Sequence, residues 1–215
     1  MLDFIKKIKD KITGNKYGYA HIEPITDDNR VSEIDYSIYP DIEVINPGKD
    51  KSLLIIDDKV SSWSIYHEIL EDVKVVTGFD AFKELTIYKA IFPECGLSAH
   101  KLMENTDIVI DYAMIDLTLE FGIKHVNGRF LEKDGVDVHE LLTKRNDNLK
   151  AIFVTAHSYS PNNPCMRYYY DKFERLNNTS ISSIYVHKSN VEDKIIKTAG
   201  LFGYTVTVGD IYNGS

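Results

Sequence analysis

The sequence predicts an α/β protein with a doubly wound, mostly parallel sheet and helices on both faces. Residues 51–58 read KSLLIIDD, four consecutive apolar residues (Leu53 to Ile56) that run straight into two adjacent acids, Asp57 and Asp58. A short uninterrupted apolar run is the pattern of a strand buried on both faces. Further short apolar runs follow at 108–116, 151–155 and 181–186, with helix-period segments between them. Strands and helices alternating in this way imply right-handed crossovers into one parallel sheet.

Taken in order, Ile5, Ile8 and Ile12 recur at helical spacing with Lys6, Lys7, Lys9 and Lys11 on the other faces, which predicts a basic amphipathic helix over 2–13 ended at Gly14. Such a helix suits a membrane surface or a partner, and suits equally well the acidic surface of its own domain. Residues 17–50 lack periodicity and close on the turn signal Asn46-Pro47-Gly48. Residues 1–50 therefore read as an N-terminal helix and extended arm, and 51–215 as the main domain. Strand one is 52–57. Helix one follows Ser61 and Ser62, either of which can cap it, and runs to about residue 70. Residues 73–77 form a second, short apolar strand, and 80–104 a helical region interrupted near Pro93 and Gly96.

Strand three is 108–116 (IVIDYAMID). Between it and Asp134-Gly135 the segment IKHVNGRFLE places Asn127-Gly128 between apolar-alternating flanks, the signal of a two-residue β-hairpin. Helix three opens at Asp134-Gly135 and carries Val138, Leu141 and Leu142; strand four is 151–155 and strand five 181–186, leading to His187 and Lys188. A last helix starts near Ser189 and Asn190, and YTVTV at 204–208 reads as an extra strand or an extended tail.

Composition narrows the function classes. The 215 residues suffice for one good core, with 43% hydrophobic and 27% charged residues. No apolar run approaches membrane-spanning length and the N-terminus has no signal-peptide core, so the expected compartment is the cytoplasm. Cys95 and Cys165 have neither disulfide nor zinc spacing. A net charge of −8 disfavours nucleic acid; residues 1–16 carry +3 of it, leaving −11 on the rest, some of it in keeping with a cation site.

In open parallel sheets ligands sit beyond the carboxyl ends of the strands. That gathers Asp57, Asp58, Asp116, Thr155 and Lys188. Adjacent acids repel unless a cation lies between them, and an all-oxygen site suits Mg²⁺. Asp116 then serves as a nucleophile for phosphoryl transfer, the metal aligns the transfer, Thr155 donates to one phosphoryl oxygen and Lys188 neutralises another. Each residue alone has a plainer reading. The paired acids can favour the dipole of helix one, Asp116 can be a solvated strand end, Thr155 a strand former and Lys188 a surface lysine. His139 and His187 show no metal spacing, His157, two residues past Thr155, reads as a lone loop histidine, and the run Tyr168, Tyr169, Tyr170 suits packing or an interface.

Taken together, LLIIDD, MIDLTL around Asp116, IFVTA around Thr155 and IYVHK around Lys188 resemble the receiver domain of two-component response regulators, over roughly residues 51–202. The resemblance implies a flavodoxin-like, five-stranded parallel sheet in the order 2-1-3-4-5, with an inserted β-hairpin and an N-terminal extension added here. It implies Mg²⁺ bound by Asp57, Asp58, Asp116 and the backbone carbonyl of Thr118, and Tyr185 as an aromatic switch paired with Thr155. It implies a histidine kinase or phosphotransfer protein as donor; the acidic net charge and the short segments on either side of the domain add the expectation of a downstream protein as output and no nucleic acid. Two departures stand out. Ser189 occupies the place of the family's usual proline, and the domain is enlarged near 80–104, 117–133 and 158–180. A non-phosphorylated pseudo-receiver acting as a binding module is the alternative. A haloacid-dehalogenase-type phosphohydrolase needs a second acid where Thr118 stands.

Overall fold

Among the described residues six strands form one sheet, five of them parallel. The computed structural model describes residues 42–92, 95, 102, 105, 107–119, 134–157, 164–179 and 184–213. These all fall in one compact unit, 34–215. The strands are β1 (Glu43–Ile45), β2 (Ser52–Asp57), β3 (Thr86–Ile91), β4 (Tyr112–Ile115), β5 (Lys150–Thr155) and β6 (Tyr185–His187). The helices are α1 (Trp63–Thr77), α2 (Ala81–Glu84), α3 (Gly135–Arg145), α4 (Pro164–Asn177), α5 (Val191–Leu201) and α6 (Val208–Asn213). The strand order is β1-β3-β2-β4-β5-β6; without β1, the parallel strands follow the flavodoxin-like order that the receiver resemblance implies.

The period-2 pleat of β2 divides the core. Leu54 and Ile56 join Ala113, Ile115 and Phe153 under Val136, Val138 and Leu142 of α3 and Tyr169, Tyr170 and Phe173 of α4. Leu53 and Ile55 face Tyr66, Ile69 and Leu70 of α1 on the other side. A strand covered on both faces has no polar side to keep, which is why its sequence is an unbroken apolar run. Two of the three consecutive tyrosines, Tyr169 and Tyr170, are core residues, and only Tyr168 is exposed.

Several sequence expectations are corrected. Residues 73–77 are not a strand: helix α1 continues through them to Gly78, whose φ of 77° and N–H bond to the Lys74 carbonyl end it. Val73 is buried while Val75 is 65% exposed, as a helix requires and as a strand, where i and i+2 share a face, forbids. The second parallel strand lies instead at Thr86–Ile91, inside the region expected to be helical, and pairs with β2 along its whole length from Ser52↔Thr86 to Asp57↔Ile91. Its residues TIYKAI favour a strand locally, and pairing with β2 selects that state. The sheet gains a sixth strand, β1, from the segment expected to be an arm; it runs antiparallel to β3, with Asn46 at φ 51° turning the chain toward β2. Strands β4 and β6 are shorter than expected, and β6 starts at Tyr185. After residues 204–207 the chain forms helix α6, whose start is fixed by Asp210 accepting from the Thr207 N–H and hydroxyl, both at 2.7 Å. The expected basic helix at 2–13, the hairpin at Asn127-Gly128 and most of the enlargement at 117–133 lie outside the described residues. No described helix is long and apolar enough to cross a membrane.

Candidate functional site

Parallel register aligns the strand ends. Ile56 pairs with Ile115, and the Asp116 N–H donates to the Ile56 carbonyl at 2.8 Å, so Asp57 and Asp116 emerge side by side. One carboxylate oxygen from each of Asp57, Asp58 and Asp116 lies within 4.8 Å of the others, and all three residues are buried. Lys188, at the end of β6, bridges the group: its Nζ is 2.6 Å from Asp57 Oδ2 and 2.9 Å from Asp116 Oδ2. Asp57 is held on both oxygens. Its Oδ1 accepts from the Lys59 N–H at 2.9 Å and its Oδ2 also accepts from the Tyr66 hydroxyl at 3.0 Å. Asp116 Oδ1 accepts from the Thr118 N–H at 3.3 Å.

Burial pushes the Asp116 carboxyl up to about 7 from its usual 3.8; Lys188 opposes this and the neighbouring Asp57 charge adds to it. Burial, more than the balance of neighbouring charges, therefore sets the proton affinity of this carboxyl. Three convergent carboxylates with only oxygen donors form a cluster able to hold a hard metal ion.

Thr155 is fully buried at the end of β5, two residues past the Phe153↔Ile115 pair, and its hydroxyl oxygen accepts from the His157 N–H at 3.2 Å. Tyr185 is buried, its hydroxyl donating to the His157 carbonyl and its ring 6.0 Å from that of Tyr170. No described peptide bond is cis. Ser189 ties the Lys188 loop differently: its hydroxyl lies 2.6 Å from His187 Nδ1, and His187 Nε2 is 3.0 Å from the Ala156 carbonyl. His139 is a core residue packed on Phe153 and Phe173, and burial lowers its pKa to about 4.

Two groups that the sequence reading did not single out, Tyr66 and Lys172, and one that it took for a helix cap, Ser62, belong to the site or brace it. Tyr66 sits in the apolar stripe of α1, and its signal was available, since a buried tyrosine needs a partner for its hydroxyl. Ser62 Oγ lies 3.5 Å from Lys188 Nζ. Lys172 of α4 reaches Asp137 Oδ1 at 2.5 Å and Asp134 Oδ2 at 3.2 Å. Asp134 caps α3 by accepting from the Val136 and Asp137 N–H groups, and Gly135 lies against the Asp116 carbonyl. Burial and the Asp137 charge raise Asp134 to about 6. Lys172→Met is expected to leave two close carboxylates without their cation and to lower stability by roughly 1–3 kcal/mol, whereas Lys172→Arg keeps most of it. Urea unfolding checks this; equal stability of Lys172→Met and wild type would refute it.

The sequence matches no protein-family model and no curated protein. Response-regulator proteins are among the solved structures that match. A CheY-like receiver domain from Methanospirillum hungatei is 20% identical, with 70% of this chain and 91% of that chain covered and a TM-score of 0.41. A LuxR-family two-component response regulator from Aurantimonas is 16% identical over 76% of this chain and 93% of that one, with a TM-score of 0.43. A response regulator from Burkholderia pseudomallei, solved with a phosphorylated aspartic acid, calcium ion and citrate, is 14% identical over 66% of this chain and 63% of that one, with a TM-score of 0.39.

Proposed function

We propose that the chain is a receiver-type signalling switch that accepts a phosphoryl group on Asp116 from a phosphohistidine of a histidine kinase or phosphotransfer protein. The observation that carries this reading is Lys188 held between Asp57 and Asp116 in a buried acid cluster at the carboxyl ends of parallel strands. An Asp116 oxygen attacks phosphorus in line; the O–P bond forms as the donor's P–N bond breaks, and the imidazole leaves with the electron pair. Asp57, Asp58, Asp116 and the Thr118 carbonyl would hold Mg²⁺, which when bound offsets the charge of the phosphoryl oxygens. Lys188 turns from its two carboxylates to one phosphoryl oxygen as a point charge, and the Thr155 hydroxyl donates to another. Movement of Thr155 reaches Tyr185 through the His157 segment, whose N–H bonds Thr155 and whose carbonyl accepts from Tyr185. The output is contact with a downstream protein in the cytoplasm, not nucleic-acid binding, and the chemistry is self-modification rather than substrate turnover.

Incubation with acetyl phosphate and Mg²⁺ is expected to add the mass of one phosphoryl group, and none when EDTA is present. No mass gain with Mg²⁺ would sink the switch and leave a constitutive binding module.

A further inference from the structure

We propose that Tyr66 is a positioning residue of this site, the donor that keeps Asp57 in place when Lys188 leaves it; the inference rests on the phosphoacceptor reading above. Tyr66 is fully buried, its ring set among the apolar residues beneath β2 and its hydroxyl on Asp57 Oδ2 at 3.0 Å. The same oxygen takes the Lys188 ammonium at 2.6 Å, and Lys188 Nζ stands 6.0 Å from the centroid of the Tyr66 ring. Tyr66 thus touches both members of the Asp57–Lys188 pair.

Lys188 serves two carboxylates at once. When it turns to an anion on Asp116, Asp57 loses its ion-pair partner among the described residues; Mg²⁺ on the acids would offset the charge but would not replace the lost hydrogen bond, and without Tyr66 the Oδ2 atom would have no donor among the described residues, the Lys59 N–H being on Oδ1. A buried carboxylate with a missing donor is costly, and its cheapest remedy is to pull the lysine back. The Tyr66 hydroxyl removes that pull. Its effect is therefore small while Lys188 rests on Asp57 and large once Lys188 is engaged elsewhere.

Tyr66→Phe keeps the ring and deletes the hydroxyl. Binding is read from the fluorescence of Trp63, the chain's single tryptophan, three positions from Tyr66. The variant is expected to bind Mg²⁺ within about twofold of wild type. Its affinity for beryllofluoride in the presence of Mg²⁺ should fall roughly tenfold, the size of one hydrogen bond to a charged group. In a Lys188→Met background, where Tyr66 is the remaining side-chain donor to Asp57 among the described residues, the same substitution is expected to weaken Mg²⁺ itself roughly tenfold. Equal losses of Mg²⁺ and beryllofluoride affinity in the wild-type background, or no loss of either, would overturn the proposal. If wild type takes neither beryllofluoride nor a phosphoryl group, the phosphoacceptor reading fails, and the Mg²⁺ coupling between Tyr66 and Lys188 still decides the role of Tyr66.

Discussion

Asp116→Asn is expected to abolish phosphoryl acceptance, because an amide oxygen is too poor a nucleophile to form the acyl phosphate. Intact-mass measurement after incubation with acetyl phosphate and Mg²⁺ checks it; modification of the variant at the wild-type level would move the acceptor elsewhere. The same substitution should change stability in a pH-dependent way. In the folded protein the Asp116 carboxyl titrates near 7, against 3.8 for an ordinary aspartate. The folded state therefore holds this proton more tightly than the unfolded state does, and ionisation disfavours the fold. The penalty is absent below about pH 4, grows across the interval between those two values and is complete above about pH 7.

The amide of the Asp116→Asn variant never ionises, so without metal that variant should melt several degrees above wild type at pH 8 and close to it at pH 4. Asp134, raised to about 6, contributes with the same sign, and His139, lowered to about 4, with the opposite one. His139 stabilises the fold above its usual 6.5 and loses that contribution as pH falls through about 4. Both groups are present in the two proteins, so the difference at each pH isolates Asp116. Parallel melting curves across this range would show that burial does not burden this carboxylate.

Gly135→Ala is expected to be the most damaging alanine substitution among the described glycines. A Cβ there would lie 2.1 Å from the Asp116 carbonyl oxygen, 2.8 Å from Ile115 Cγ2 and 3.0 Å from the Asp116 carbonyl carbon. The nearest atom belongs to backbone, so no rotamer relieves the clash; either α3 or the Asp116 loop must shift. Gly135 N–H also donates to the Leu117 carbonyl at 3.1 Å, so the shift passes directly to the segment carrying Asp116 and Thr118. Roughly 3 kcal/mol of stability should be lost, a fall of roughly 6–12 °C in Tm, together with weaker Mg²⁺ binding. Gly78→Ala is the control. Gly78 has φ 77° with nothing within 4 Å of the added atom, so only the left-handed backbone cost of roughly 1–2 kcal/mol applies. Equal losses in the two variants would refute the close approach at Gly135.

Much of the site was legible as strand ends. An unbroken apolar run closing on acids marks both a buried strand and its ligand-facing end, and the parallel register then brings Asp57, Asp58, Asp116 and Lys188 together. Thr155 follows the same logic at the end of β5. What the pattern missed has a common cause. Residues 73–77 and 86–91 are both short stretches rich in strand formers, and local preference does not separate them; Gly78 ends a helix in one case, and pairing with β2 makes a strand in the other.

The sequence by itself determined the α/β class, the doubly wound parallel sheet and the chemical character of its strand ends, because burial period and residue type are local properties written along the chain. Only the tertiary structure decided which second segment enters the sheet, that β1 completes its edge, that Tyr169 and Tyr170 fill the core, and that Tyr66, Ser62 and Gly135 close around the acids. The physical reason is that these depend on distances between residues far apart in the chain. Asp57 and Lys188 are 131 positions apart in sequence and 2.6 Å apart in space, and the raised Asp116 pKa is a product of that enclosure.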